Sequence, residues 1–158
     1  MKVLGWNCRS ICNTATVRAL KAQIKGTSPD VIFLCETKSS ASRMQEVLNS
    51  IKFAYMCVVD AKGIVGGICV MWKAGLMIQQ VEYNKNLIAI EVSDTLCSCL
   101  LVGFYGPPYP AKKQKAWEIL WSFSSLVTAF GFVLVTSISP QMTMKFSVEA
   151  GGSWHINN

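Results

Sequence analysis

Five consecutive apolar residues, Val31–Cys35, stand between Pro29-Asp30 and Glu36. A run this short, bounded by a turn signal and lacking polar alternation, reads as a β-strand buried on both faces. Such a strand needs a covering layer on each side, which confines the chain to layered architectures. It also ends on Glu36, and a carboxylate set against a buried strand is costly unless it is paired or used.

Lys2–Asn7 is a second short apolar strand, ending in the amide of Asn7. Between the two, Asn13 or Thr14 can cap a helix through Ile24, with Val17, Leu20 and Ile24 on one face and Gly26 to stop it. After Glu36, the Ser42-x-x-Gln45 spacing matches a capping box for a helix carrying Met44, Val47, Leu48 and Ile51. This strand–helix–strand–helix order predicts an α/β domain whose inner strands are covered by helices. The pattern then changes to consecutive strands at 53–60, 67–72, 77–83, 87–93 and 96–105. Short turn sequences such as Lys62-Gly63 and Asn84-Lys85-Asn86 separate them and predict antiparallel neighbours. A Pro-rich break follows Tyr105, then a helix over 111–125 and a last strand at 132–135. The 158 residues suit one domain, read as 1–152 with a tail at 153–158.

Composition narrows the class without choosing a function. Fifteen Lys and Arg against nine Asp and Glu give +6, a modest excess compatible with a polyanionic partner such as nucleic acid. Only Lys112, Lys113 and Lys115 cluster, so there is no stripe that would track a phosphate backbone. Of seven cysteines, Cys8, Cys12, Cys35, Cys57 and Cys69 lie beside or within apolar runs, as free buried thiols do. Cys97 and Cys99 are too close along one strand to bridge. With His155 as the only histidine, a zinc cluster is not expected. No apolar leader follows Met1, which with the thiols points to a reducing, intracellular setting, nuclear or cytoplasmic. The uncharged stretch 119–135 is long enough to test as a membrane span. Its serines and threonines, and the one-sided stripe of Trp117, Leu120 and Trp121, favour a helix followed by a buried strand.

Three polar groups then recur at strand ends: Asn7, Glu36 and Tyr105. A carboxylate near an amide oxygen is a hard-oxygen set suited to Mg²⁺, which keeps several waters and needs few protein ligands. Each residue also has a plainer reading. Asn7 can simply end its strand, Glu36 can pair with Lys38 or Arg9, and Tyr105 can be amphipathic core.

"WNCRS", "PDVIFLCETK", "GGICVMW" and "GFYGPP", in this order and spacing, resemble the endonuclease/exonuclease/phosphatase family of the DNase I-like fold. The likeness is strongest to endonuclease domains of plant non-LTR (LINE-type) retrotransposons and weakens over the last third of the chain. It implies a partial β-sandwich with flanking helices, about the N-terminal half to two-thirds of the family domain, with a metal at one rim. By position, Asn7 and Glu36 match the family's Mg²⁺ (or Mn²⁺) residues, and Tyr105 the tyrosine that contacts the scissile phosphate. Gly66-Gly67 and Trp72 match a glycine pair and a tryptophan of one strand.

The likeness fails after the strand at 132–135, where the family has Gly-Asp-Phe-Asn. Ser137 stands for the aspartate and Ser139 for the asparagine, and a serine hydroxyl is a poor base at neutral pH. The family's later aspartate and histidine have no counterpart, and His155 is in the wrong context. The resemblance therefore implies a degenerate phosphodiesterase or endonuclease domain of retrotransposon origin, with DNA as partner, without a membrane anchor and without activity. The alternative is a non-catalytic nucleic-acid-binding or protein-interaction remnant.

Overall fold

The structure, a computed structural model, describes residues 1–63, 65–93, 98–105, 118, 131–136, 144–148 and 154–157. Strand β1 (Lys2–Asn7) lies parallel to β2 (Val31–Cys35), with Val3 opposite Val31 and Asn7 opposite Cys35. A parallel pair needs a long crossover, and helix α1 (Thr14–Thr27) supplies it. Helix α2 (Ala41–Ile51) then leads to the edge strand β3 (Tyr55–Val59) and to β4 (Ile68–Trp72), which pairs antiparallel with both β3 and β2.

The next three strands make a separate antiparallel unit: β5 (Met77–Asn84), β6 (Leu87–Ser93) and β7 (Ser98–Phe104). Strand β8 (Gly131–Thr136) adds parallel to β7 at the sheet edge. Strands β9 (Met144–Val148) and β10 (Trp154–Asn157) return to the first sheet, where β9 pairs antiparallel with β1. The result is a six-stranded sheet, order β10-β9-β1-β2-β4-β3, and a four-stranded sheet, order β5-β6-β7-β8.

The burial pattern shows how the layers meet. From β2, Val31, Phe33 and Cys35 pack with Ile88, Ile90 and Val92 of β6 and Leu101 of β7, forming the core between the sheets. The alternate residues Ile32 and Leu34 pack instead with Leu20 of α1 and Met44, Val47 and Leu48 of α2. So β2 is buried on both faces, but helices cover only one of them and the second sheet covers the other. Each fully buried large side chain of this kind contributes about 1.5–3 kcal/mol. At the centre the Phe33 ring lies directly on the β7 backbone, where a Cβ added to Gly103 would come within 1.9 Å of it. That near-contact fixes how closely the sheets approach.

Several sequence expectations shift. Asn13 caps α1, its Oδ1 accepting from the Thr16 amide at 2.7 Å. Gly26 does not stop the helix. Ser28 takes the left-handed C-cap at φ 49° and donates its N–H to the Ile24 carbonyl, one turn back. The Ser42–Gln45 capping box is not formed, because both residues lie inside α2 and Ser40 is its N-cap. Ser42 Oγ pairs with Ser40 Oγ, and Gln45 Nε2 donates to Asn49 Oδ1. The strand at 132–135 is longer, and it is not the last. Met-Lys-Phe-Ser-Val of β9 alternates apolar and polar residues as a half-buried strand does, and β10 occupies residues read as a tail. All but Glu118 of the helix expected at 111–125 falls outside the described residues. Among the described residues no helix is long and apolar enough to cross a membrane, and Gly131–Thr136 is strand.

Candidate metal centre at the sheet rim

Asn7 is the last residue of β1 and Glu36 directly follows β2, so the parallel register delivers both to the same rim. Tyr105 directly follows β7, on the face that Leu101 turns toward the first sheet, and its ring packs against the inter-sheet core. Its Oη donates to Glu36 Oε1 at 2.5 Å. The two sheets are therefore tied at this rim by one phenol–carboxylate hydrogen bond. Asn86, at the β5–β6 turn, holds the Tyr105 backbone from both sides. Its carbonyl accepts from the Tyr105 N–H at 2.7 Å, and its Nδ2 donates to the Tyr105 carbonyl at 2.9 Å. Asn86 had read only as a turn former. Its role depends on β6 and β7 being neighbours, which no local pattern states.

The backbone at this rim is strained. Among the described residues six non-glycine residues have positive φ, and Ser28 and Lys52 of these simply close α1 and α2. The other four are Arg9 (φ 50°), Ser10 (122°), Glu36 (53°) and Lys38 (50°), all in the β1–α1 and β2–α2 loops. Such conformations cost about 1 kcal/mol or more each, and they collect where a loop presents a functional group. The Thr37 and Lys38 amides donate to the Gly67 and Gly66 carbonyls at 3.1 and 2.9 Å. Gly67 sits at φ 86°, and a Cβ there would lie 2.2 Å from Thr37 Oγ1. Gly67 thus permits a close backbone approach that a side chain would block, and that approach supports the segment bearing Glu36.

The donor chemistry suits a hard divalent cation. Asn7 is buried and its Oδ1 accepts from the Arg9 amide at 3.2 Å, which leaves the second lone pair of an amide oxygen for another partner. Glu36 forms no ion pair with Lys38 or Arg9 among the described residues, where Arg43–Glu46 and Lys73–Asp30 are the salt bridges. No cluster of three or more His, Cys, Asp or Glu that could hold a metal ion occurs among the described residues, so a cation at this rim would rest on Glu36, the Asn7 amide and water. One carboxylate plus an amide oxygen fits Mg²⁺ or Mn²⁺ carrying water. Burial, then the hydrogen bond to Glu36 and its charge, push the Tyr105 phenol well above its ordinary range, so it remains a hydrogen-bond donor at neutral pH. Burial likewise pushes the neighbouring Cys8 thiol up to about 11.

Not every motif residue belongs to this rim. Trp72 lies at the far end of β4, opposite Val31, where it stacks on Tyr55 with ring centroids 5.9 Å apart. His155 pairs with Ser147, which pairs with Lys2 at the start of β1, away from Asn7. Ser137 and Ser139 lie outside the described residues.

Comparison with known proteins bears on the family and the fold. The sequence profile of the endonuclease/exonuclease/phosphatase family matches residues 4–126. No curated protein matches the sequence. Among solved structures, a 3′ phosphatase from Neisseria bound to a product DNA hairpin aligns with TM-score 0.64 at 17% identity, covering 86% of this chain and 56% of that one. A family protein from Bacteroides thetaiotaomicron gives TM-score 0.64 at 9% identity, covering 87% and 63%. An AP endonuclease from Leishmania major gives 0.57 at 15% identity, covering 85% and 54%. These likenesses establish the shared fold, and the chain spans a little over half the length of these proteins.

Proposed function

The chain belongs to the endonuclease/exonuclease/phosphatase family, and on that premise we propose that it retains the cation- and phosphate-holding part of a phosphodiesterase site but hydrolyses little. The observation that carries this reading is the meeting of Glu36 and Tyr105 across the two sheets, one residue beyond the Asn7–Cys35 pair. Glu36 and Asn7 would hold Mg²⁺ or Mn²⁺, which when bound neutralises a phosphodiester and stabilises its leaving oxygen. Tyr105, protonated at neutral pH, would turn its hydroxyl from Glu36 to a phosphate oxygen when the ligand binds. The Glu36 carboxylate would be presented by the strained β2–α2 loop, which starts from it.

DNA is the proposed ligand. The Neisseria relative holds a DNA hairpin, and a +6 chain favours a polyanion. Low turnover is proposed because Ser137 and Ser139 occupy the positions where the resembled motif carries aspartate and asparagine. A missing general base and a missing phosphate contact each remove about a hundredfold or more in rate. Descent from a retrotransposon endonuclease, with decay at these positions, would account for both the motif match and the substitutions.

The test combines binding with turnover. Mn²⁺ titration should show a site that Glu36→Gln weakens at least tenfold, while plasmid nicking in Mg²⁺ stays near background. Equal Mn²⁺ affinity in Glu36→Gln would overturn the cation reading. Strong Mg²⁺-dependent nicking that Glu36→Gln abolishes would overturn the inactivity and leave the site assignment standing. Salt-sensitive DNA binding indifferent to Glu36 would favour a non-catalytic nucleic-acid-binding remnant instead.

A further inference from the structure

The four carbonyls from Cys35 to Lys38 are all engaged by the β1–α1 loop, through two backbone amides and two thiol side chains. The Cys8 amide donates to the Cys35 carbonyl at 3.1 Å. The Cys8 thiol reaches the same oxygen at 3.3 Å and, more weakly, the Glu36 carbonyl at 3.7 Å. The Ile11 amide donates to the Thr37 carbonyl at 3.0 Å. The Cys12 thiol donates to the Lys38 carbonyl at 3.3 Å.

We propose that Cys8 and Cys12 are positioning residues, a thiol clasp that holds the segment carrying Glu36 in its left-handed conformation from the side opposite Gly66-Gly67. The segment needs restraint on both sides, because Glu36 and Lys38 have positive φ and neither is glycine. Gly66 and Gly67 accept the amides of 37 and 38, whereas the β1–α1 loop donates to the carbonyls. The same loop carries its own strained residues, Arg9 and Ser10, between the two thiols, so each loop is shaped by the other. A thiol suits the task. Its longer S–H···O reach spans gaps that a hydroxyl, at its usual 2.7–2.8 Å, would bridge only weakly. Cys8 is enclosed, 5% exposed, whereas Cys12 is at the surface. Substitution of Cys12 therefore opens one end of the clasp without disturbing the core.

The proposal rests on Glu36 as the cation-binding carboxylate, and the experiment separates the two claims. Amide exchange at Thr37 and Lys38 is measured without metal, and Mn²⁺ affinity is measured by titration, in wild type, Cys12→Ala and Cys12→Ser. Cys12→Ala should speed exchange at these amides roughly threefold or more and weaken Mn²⁺ by a similar factor. The amides inside β2 and the melting temperature should hardly move, and Cys12→Ser should recover part of both effects. If Cys12→Ala leaves exchange at 37 and 38 unchanged, or speeds exchange evenly through the domain, the clasp is refuted. If wild type binds no Mn²⁺ but Cys12→Ala still loosens only this segment, the clasp stands and the cation reading fails.

Discussion

Tyr105 and Glu36 sit at the ends of strands in different sheets, so the 2.5 Å contact between them does two jobs. It orients the carboxylate, and it closes the rim of the sandwich. Removing the hydroxyl with Tyr105→Phe separates these jobs. A part-buried carboxylate then loses its donor, and stability should fall by about 1 kcal/mol in urea unfolding. Mn²⁺ affinity should stay within about threefold, because the phenol restrains Glu36 rather than supplying a ligand. A tenfold loss would mean that the phenol is part of the cation site. The reciprocal change reads out at the phenol. Burial is the largest cause of its raised ionisation, with the carboxylate second. Glu36→Gln should therefore bring the Tyr105 ionisation only partway back, still above the ordinary tyrosine value in an alkaline absorbance titration.

Between elements, the closest approach is Phe33 of β2 on Gly103 of β7. A methyl group at 103 would occupy the ring's place, and Phe33, 2% exposed, has no room to move aside. Gly103→Ala should cost about 2 kcal/mol through overpacking, seen as a lower urea midpoint. The larger side chain in Gly103→Val should prevent close packing of the sheets altogether. This contact also marks what the sequence can and cannot disclose. The apolar run of Val31–Cys35 announced a doubly covered strand, because burial on both faces removes polar alternation. Asn13 was legible as a cap and Glu36 as an anomaly, since each departs from a local rule. Gly103 and Asn86 were not, because their partners lie on other strands and only the tertiary arrangement brings them together. The end of α1 shifted for a related reason. Ser28 can take the left-handed cap that a glycine takes more easily, once its amide finds the Ile24 carbonyl.

At the scale of the whole molecule, the thiols report whether the layers close. Burial pushes Cys8 up to about 11, Cys69 well above its ordinary value of 9.0, and Cys57 above it as well. Cys69 is fully enclosed beneath the helices, and Cys57 packs against the inter-sheet core from the edge strand β3. Each thiol binds its proton more tightly in the folded chain than in the unfolded one. Its contribution is therefore fully present below pH 9, where both states are protonated, and is lost as pH rises through the folded value. For Cys8 alone, a rise from 9.0 to about 11 corresponds to about 3 kcal/mol. Urea midpoints should accordingly stay nearly level up to about pH 8.5 and then drop by about 1 kcal/mol or more per pH unit up to about pH 11. Cys69→Ala should make that drop shallower while lowering stability at neutral pH, since it removes a titrating group and leaves a small cavity. A level profile through pH 10 would mean that water reaches these thiols in the folded chain. The helix layer and the inter-sheet layer would then not be closed, and the rim that depends on both could not hold Glu36 against Tyr105.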